Sequence, residues 1–143
     1  MLNKDLIQRK IALIQDELLR LTEFENLTIE EASKDYKSQA IVERLLERVI
    51  GRALDINQHI IAEMGVRLES IKKYRETFIK LSDLGVYPIE FAEKIAPCAG
   101  FRNALIHEYN NLDKEIVRKS IKLAIQEFND YSKYILAFIE KKD

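Results

Sequence analysis

Apolar residues recur every three or four positions along most of this chain, which is the spacing of an amphipathic helix. The first such stretch runs from about Asn3 to Glu25. The last one ends near Glu140 and has the most regular stripe, formed by Val117, Ile121, Ala124, Phe128, Tyr131, Ile135 and Phe138. Five such stretches can be distinguished, with short connections between them. The pattern predicts an all-α protein, an up-down bundle of about five helices.

The second helix is expected to have a wide apolar face. Thr28, with Glu31 three residues later, has the spacing of a capping box, and the helix should run with a kink to Met64, where Gly65 ends it. Two apolar series follow its surface: Val42, Leu46, Val49, Ala53, Ile56 and Ile60, and beside them Ile50, Leu54, Ile61 and Met64. Two series make a face wider than one neighbour covers. Part of this face is predicted to pack on a second subunit, as in a homodimer.

Prolines and capping residues predict where the remaining helices begin and end. A third helix is expected over about Leu68 to Asp83, with Tyr74 among its inward residues. Tyr87-Pro88 suits the start of a fourth helix, which Pro97 should kink or split. Asn110-Asn111 should end that helix, and Asp113 can cap the last one.

Composition narrows the functional classes. The 143 residues form one domain, spanning 1–143, of a size that can bury its own core. Apolar residues make up 47% and charged residues 33%, as in a globular protein. The net charge of -1 argues against a protein that grips long nucleic acids by overall charge, so any RNA contact must come from a local basic cleft. The basic pairs Lys72-Lys73 and Lys141-Lys142 are most simply solvated helix faces.

Compartment and cofactors follow from what the sequence lacks. It has no signal peptide and no apolar run near membrane-spanning length, so a cytoplasmic protein with no membrane contact is expected. Cys98 is the only cysteine, which excludes an internal disulfide, and it is expected to be a buried small residue. No glycine-rich phosphate loop and no metal-ligand spacing are present, so neither a metal nor a cofactor is expected.

The stretch from Phe101 to Tyr109 adds chemistry to an otherwise plain amphipathic helix. Four polar residues in it share one broad arc, because a helix turns by about 100° per residue: Arg102, Asn103, His107 and Tyr109. Arg102 also follows Ile95 and Ala99 at the spacing of a buried stripe, where an apolar residue is expected. Such a conflict is typical of functional sites. Ala99 and Gly100 would let another element approach closely.

These residue types suit RNA cleavage without a metal. Such a reaction must remove a proton from a 2′-hydroxyl, neutralise the charge that grows on the phosphorane and protonate the leaving 5′-oxygen. Histidine suits proton transfer because its ordinary pKa lies near the working pH. Arginine suits the phosphate because its planar fork donates two parallel hydrogen bonds and keeps its charge.

The order of residues resembles the signature of HEPN ribonucleases, in particular the HepT-type toxins. Those proteins carry Arg-x-x-x-x-His, and the HepT branch adds a tyrosine two residues after the histidine. Arg102, His107 and Tyr109 match this pattern without departure. A weaker resemblance to the body of the family extends from about Ala40 to Asp113.

The resemblance implies the toxin of a toxin-antitoxin pair, a metal-independent endoribonuclease with an HEPN-like fold. Arg102 would stabilise the phosphate, His107 would act as general base or acid, and Asn103 would orient the phosphate or its partner side chain. HEPN proteins dimerise so that two motifs face a shared cleft. The family's partner is a small nucleotidyltransferase antitoxin, MntA, which transfers AMP to the motif tyrosine, here Tyr109.

Two other interpretations stay open. The same arc could hold a bound phosphate in a non-catalytic nucleotide-binding or scaffold partner of a nucleotidyltransferase, or it could be an interior hydrogen-bond network of a purely structural bundle. Asp55 and His59, one turn apart on the second helix, are most simply a solvated or interface pair, and otherwise a second wall of the cleft. Tyr74, Tyr131 and Tyr134 are expected to be core or interface aromatics rather than base-stacking platforms.

Overall fold

The computed structural model describes the backbone of residues 1–25, 36–107 and 114–142, and the side chains of residues 1–25, 37–105 and 119–142. Six α-helices lie in these ranges: α1 Lys4–Leu21, α2 Tyr36–Glu63, α3 Tyr74–Asp83, α4 Ile89–Ile95, α5 Cys98–His107 and α6 Lys114–Glu140. Single turns of 3-10 helix, Thr22–Phe24 and Leu68–Ser70, follow α1 and precede α3. No strand occurs in the described ranges, which confirms the all-α prediction.

The long α2 helix lies at the centre of the fold, in contact with α1, α3, α5 and α6. Helix α1 also packs on α6, and α3 packs on α4 and α5. The apolar residues at three-four spacing in α1 are at most 2% exposed: Ile7, Ile11, Ile14, Leu18 and Leu21. Burying each such side chain contributes about 1.5–3 kcal/mol. The residues whose spacing predicted the helix therefore also hold it against the rest of the core.

Several predicted helix ends are confirmed. Gly65 and Gly85 have φ angles of +86° and +84°, which a residue with a Cβ rarely adopts. After Gly65, the N–H of Val66 donates to the carbonyl of Ile61 at 3.1 Å, as expected for a Schellman-type helix end. Pro97 divides the predicted fourth helix, because α4 ends at Ile95 and α5 begins at Cys98.

The start of α3 differs from the prediction. The apolar spacing predicted a helix from Leu68, but Leu68–Ser70 is a single 3-10 turn and α3 begins only at Tyr74. Lys73 has extended backbone angles (φ -128°, ψ 143°), which interrupt the helical ladder. The Tyr74 side chain is 48% exposed rather than inward. The capping residues predicted at Thr28, Glu31, Asn110-Asn111 and Asp113 lie outside the described residues.

The apolar face of α2 does not by itself require a second subunit. Most of its second series is buried within one subunit: Ile50 is 2% exposed, Leu54 4% and Ile61 0%, whereas Met64 is half-buried. Four helices of the same chain pack against α2. The homodimer therefore stays a prediction that needs other support.

A buried polar network joins three helices. The hydroxyl of Tyr131 on α6 donates to the side-chain oxygen of Asn57 on α2. The amide of Asn57 in turn donates to the hydroxyl of Thr77 on α3 at 3.0 Å. All three side chains are at most 2% exposed, so their hydrogen-bonding groups have no water to replace a lost partner. Burial also raises the pKa of Tyr131, so the hydroxyl stays a donor.

Tyr131→Phe should lower the free energy of unfolding by about 1–3 kcal/mol, because it leaves the buried Asn57 oxygen without this donor. Tyr134→Phe is the matched control. The Tyr134 ring packs on Tyr87 and Phe91, and its hydroxyl forms no hydrogen bond within the described residues, so the change should stay within about 0.5 kcal/mol. Urea denaturation followed by circular dichroism measures both. Equal losses in the two variants would show that the network adds nothing.

Candidate active site

Three residues of the predicted motif, Arg102, Asn103 and His107, lie on α5. Arg102 is partly buried and Asn103 is exposed. His107 is the last residue of α5, and its backbone is described but its side chain is not. Tyr109 lies outside the described residues. The geometry of the site is therefore that of Arg102 and its surroundings.

Arg102 lies on the side of α5 that faces the core. Ala99, one turn before it, is 3% exposed, and Leu105, one turn after it, is 4% exposed. Ile95, the last residue of the preceding helix α4, is fully buried. The expectation that Arg102 occupies a position of the buried stripe is confirmed, and a charged group at such a position needs a specific environment.

Gly51 of α2 lies beside the guanidinium of Arg102. A Cβ at residue 51 would lie 3.5 Å from Nε and 3.9 Å from Nη2 of Arg102, and no other atom beyond its own helix comes within 4 Å. The carbon between these two nitrogens is farther away, so the guanidinium turns its Nε–Nη2 edge toward α2. Nε is buried without a hydrogen-bond partner among the described residues. An unpaired buried donor costs about 1–3 kcal/mol, which the fold tolerates here beside the motif.

Sequence reasoning did not place Gly51 beside Arg102. The sequence predicted a close approach at Gly100, but a Cβ there would have no neighbour within 4 Å. The available signal was the glycine itself, since glycine inside a helix is about 1 kcal/mol less favourable than alanine. Gly51 stands in the middle of the 28-residue α2, where that penalty applies.

Arg52, the next residue along α2, is an arginine with a carboxylate partner. Arg52 forms an ion pair with Glu17 of α1, whose side chain is only 6% exposed. This pair joins α1 to α2, and its positive charge is offset by the carboxylate. Removing one partner of a buried pair leaves an uncompensated charge. Arg52 therefore has a structural role, which Arg102 does not share.

Asp55 and His59 also hold α1 against α2. The Asp55 carboxylate pairs with Lys10 at 3.1 Å, and Nε2 of His59 accepts the backbone N–H of Asn3 at 3.1 Å. Both partners belong to the N-terminal part of the chain rather than to α5. These contacts support the simpler interpretation of the two residues, a pair at a helix interface, and not a second wall of the cleft.

A cavity of about 290 Å³ lies beside α5, between α2 and α6. Its lining is mainly apolar and includes Leu46, Ile50, Pro97, Cys98, Phe101, Leu123 and Phe128. Burial raises the pKa of the Cys98 thiol, with a further contribution from Glu127. The thiol is therefore neutral at physiological pH and a weak nucleophile. Cys98 is only partly buried, so the expectation of a buried small residue is met in part.

The described residues hold neither a metal-ligand cluster nor a helix that could cross a membrane. No group of three His, Cys, Asp or Glu side chains gathers there in a way that could hold a metal ion. Within the same residues, no helix combines the length and the apolar character that a membrane crossing requires.

Comparison of the fold with solved structures gives close matches. A toxin-antitoxin complex with AMP-PNP superposes with a TM-score of 0.81 at 22% identity, over 93% of this chain and 98% of that chain. A tri-AMPylated Shewanella oneidensis HEPN toxin, in complex with an MNT antitoxin, gives 0.80 at 23% identity, over 93% and 98%. The helical arrangement described above is therefore the fold of HEPN toxins.

Sequence comparison is more specific. The model of the family described as ribonuclease HepT-like matches residues 14–135, which include the whole motif. A protein of Aphanizomenon flos-aquae named tRNA nuclease HepT is 35% identical over 136 residues, covering 94% of this chain and 90% of that protein. The chain belongs to the HepT-like ribonuclease family, and the resemblance found in the motif is confirmed.

Proposed function

We propose that this protein is a metal-independent endoribonuclease and the toxin of a toxin-antitoxin pair acting in the cytoplasm. The observation that carries the proposal is the environment of Arg102, a partly buried arginine of the family motif whose Nε has no hydrogen-bond partner among the described residues. The name of the Aphanizomenon relative, a tRNA nuclease, supports RNA as the substrate. The matched toxin-antitoxin complexes support a nucleotidyltransferase antitoxin of the MntA type as the partner.

The residues of α5 would divide the chemistry as follows. Arg102 would neutralise the charge that develops on the phosphorane, where a fixed guanidinium needs little reorganisation. His107 lies five residues further, about 7–8 Å along the helix, close enough to act on the same phosphodiester. It would transfer the proton of the 2′-hydroxyl or of the leaving oxygen. Asn103 is exposed beside Arg102 and would orient the phosphate.

Arg102→Ala and His107→Ala should each reduce RNA cleavage by at least about 100-fold, because each removes one element of charge stabilisation or proton transfer. Wild-type cleavage should survive excess EDTA and leave a 2′,3′-cyclic phosphate. His59→Ala is the control, since it removes the only other histidine, whose partner is the backbone of Asn3. Gel analysis of labelled RNA, with circular dichroism to verify folding, measures all three.

The alternative function makes the opposite prediction in the same assay. A non-catalytic nucleotide-binding or scaffold partner would use Arg102 to hold a phosphate and would not need His107 for chemistry. A folded His107→Ala variant that keeps the wild-type toxicity would favour this alternative.

We also propose that the active unit is a homodimer. One motif supplies one histidine, whereas the reaction needs two proton transfers, and a second subunit would supply the other. Leu123 supports a partner on this side of the fold. Its side chain is 53% exposed at the edge of the cavity beside α5, where a free apolar surface is unfavourable.

Wild-type protein should sediment as a dimer at micromolar concentration, and Leu123→Glu should shift it toward monomer and reduce cleavage, because the new charge would be buried at the interface. Leu19→Glu is the control. Leu19 lies on α1 and is more exposed, at 68%, yet it does not line the cavity. Sedimentation velocity measures the three proteins. A wild-type monomer that cleaves RNA fully would eliminate the shared cleft.

Regulation would act through Tyr109. The matched Shewanella toxin is tri-AMPylated, and the tyrosine of the motif is a suitable acceptor because the proton transfers do not require it. An attached AMP would add negative charge and bulk next to the Arg102 side of the helix.

Coexpression with the cognate nucleotidyltransferase should add AMP to Tyr109 and suppress cleavage. Tyr109→Phe should keep most of the ribonuclease activity and escape suppression, because it lacks the acceptor hydroxyl. Intact-protein and peptide mass spectrometry detect the modification. An unmodified Tyr109, with suppression unchanged in the Phe variant, would mean that the antitoxin acts by binding alone.

A further inference from the structure

We propose that the segment before α3 forms a second contact site for the RNA, which holds single-stranded nucleotides next to those at Arg102. The site consists of a basic patch, defined as Arg67, Lys72, Lys73 and Arg75, and the exposed ring of Tyr74. This inference rests on the proposed ribonuclease function. It adds an RNA contact that lies outside the motif.

Charge is concentrated in this segment. Residues 66–75 hold four basic residues and one acidic one, a net charge of +3, in a chain whose net charge is -1. The side chains of the basic patch are exposed, and they form no ion pair within the described residues. The basic patch thus keeps the positive charge that a phosphate backbone would attract.

The local backbone gives the patch its shape. The sequence predicted Lys72-Lys73 on a solvated helix face, but both residues stand in the extended connection between the 3-10 turn and α3. A cavity of about 210 Å³ opens there, lined by Gln58, Leu68, Ile71, Lys72, Lys73, Tyr74 and Thr77. A recess with ammonium groups and an aromatic ring at its edge has the combination that binds single strands, since the ring stacks on a base while the cations contact phosphates.

The position of the cavity relative to Arg102 suits one continuous strand. Gln58 lines the cavity, and Gly51 faces Arg102, whose Nε would lie 3.5 Å from a Cβ at residue 51. These two residues are seven positions apart on α2, so they lie on nearly the same face, about 10 Å apart along the axis. Helices α3 and α5 are also in contact with each other on that side. An RNA strand with its scissile phosphate at Arg102 would place a neighbouring nucleotide at the basic patch.

The double variant Lys72→Glu and Lys73→Glu tests this. Its affinity for a labelled single-stranded RNA oligonucleotide should fall by at least tenfold at low salt, and the dependence of log affinity on log salt should become shallower by about 1.4 units, about 0.7 for each lysine removed. Cleavage of the dinucleotide UpA, which is too short to span both sites, should stay as in wild type. Tyr74→Ala should weaken binding of the oligonucleotide about tenfold, whereas Tyr74→Phe should keep it.

The matched control is Lys141→Glu with Lys142→Glu, which makes the same change in charge at the end of α6, and it should bind the oligonucleotide nearly as wild type does. Equal affinity in the two double variants would overturn the proposal. So would loss of antitoxin binding in the Lys72 and Lys73 variant with unchanged RNA affinity, which would assign the patch to the protein partner. If wild type binds the oligonucleotide but never cleaves it, the ribonuclease function fails while the binding comparison still tests the patch.

Discussion

The burial of α2 on several sides is the constraint on which the rest of the structure depends. Four other helices pack against it, and its apolar residues from Val42 to Ile61 form the centre of the core. Polar contacts add direction to this packing, because Asn57 joins α2 to Tyr131 on one side and to Thr77 on the other. Arg102 and the basic patch both take their positions from α2. A small shift of this helix would therefore move both together.

Much of the fold could be predicted from the sequence because the same spacing that forms a helix also buries it. The stripes of α1 and α6 are regular, and glycines with positive φ end α2 and α3 where predicted. The start of α3 could not be predicted in this way. Leu68 and Ile71 keep a helical spacing although the backbone around them is not an α-helix, so periodicity alone gave the wrong boundary. The inference of a second subunit from the wide apolar face of α2 had no support for a related reason. A pattern of apolar residues shows that the residues are buried but not which chain buries them.

The candidate site, like the fold, could be predicted from the sequence only in part. The residue order of the motif was enough to indicate the family, because an arginine in a buried stripe followed by histidine and tyrosine is an unusual combination. The position of Gly51 beside the arginine was not predictable, since Gly51 is distant in sequence. The chemical character of Lys72-Lys73 also depended on backbone conformation. On a helix they would be two of many solvated lysines, whereas in an extended connection they border a cavity beside an exposed ring.

The glycine in α2 has a consequence for how this family can vary. Alanine at position 51 would make only an ordinary van der Waals contact with the guanidinium, so it would fit and would favour the helix. A branched or longer side chain would need the volume that Arg102 now occupies, and the arginine would have to take another rotamer. The residue at this position in a related sequence therefore indicates whether its arginine can adopt the same orientation, even where the motif itself is intact.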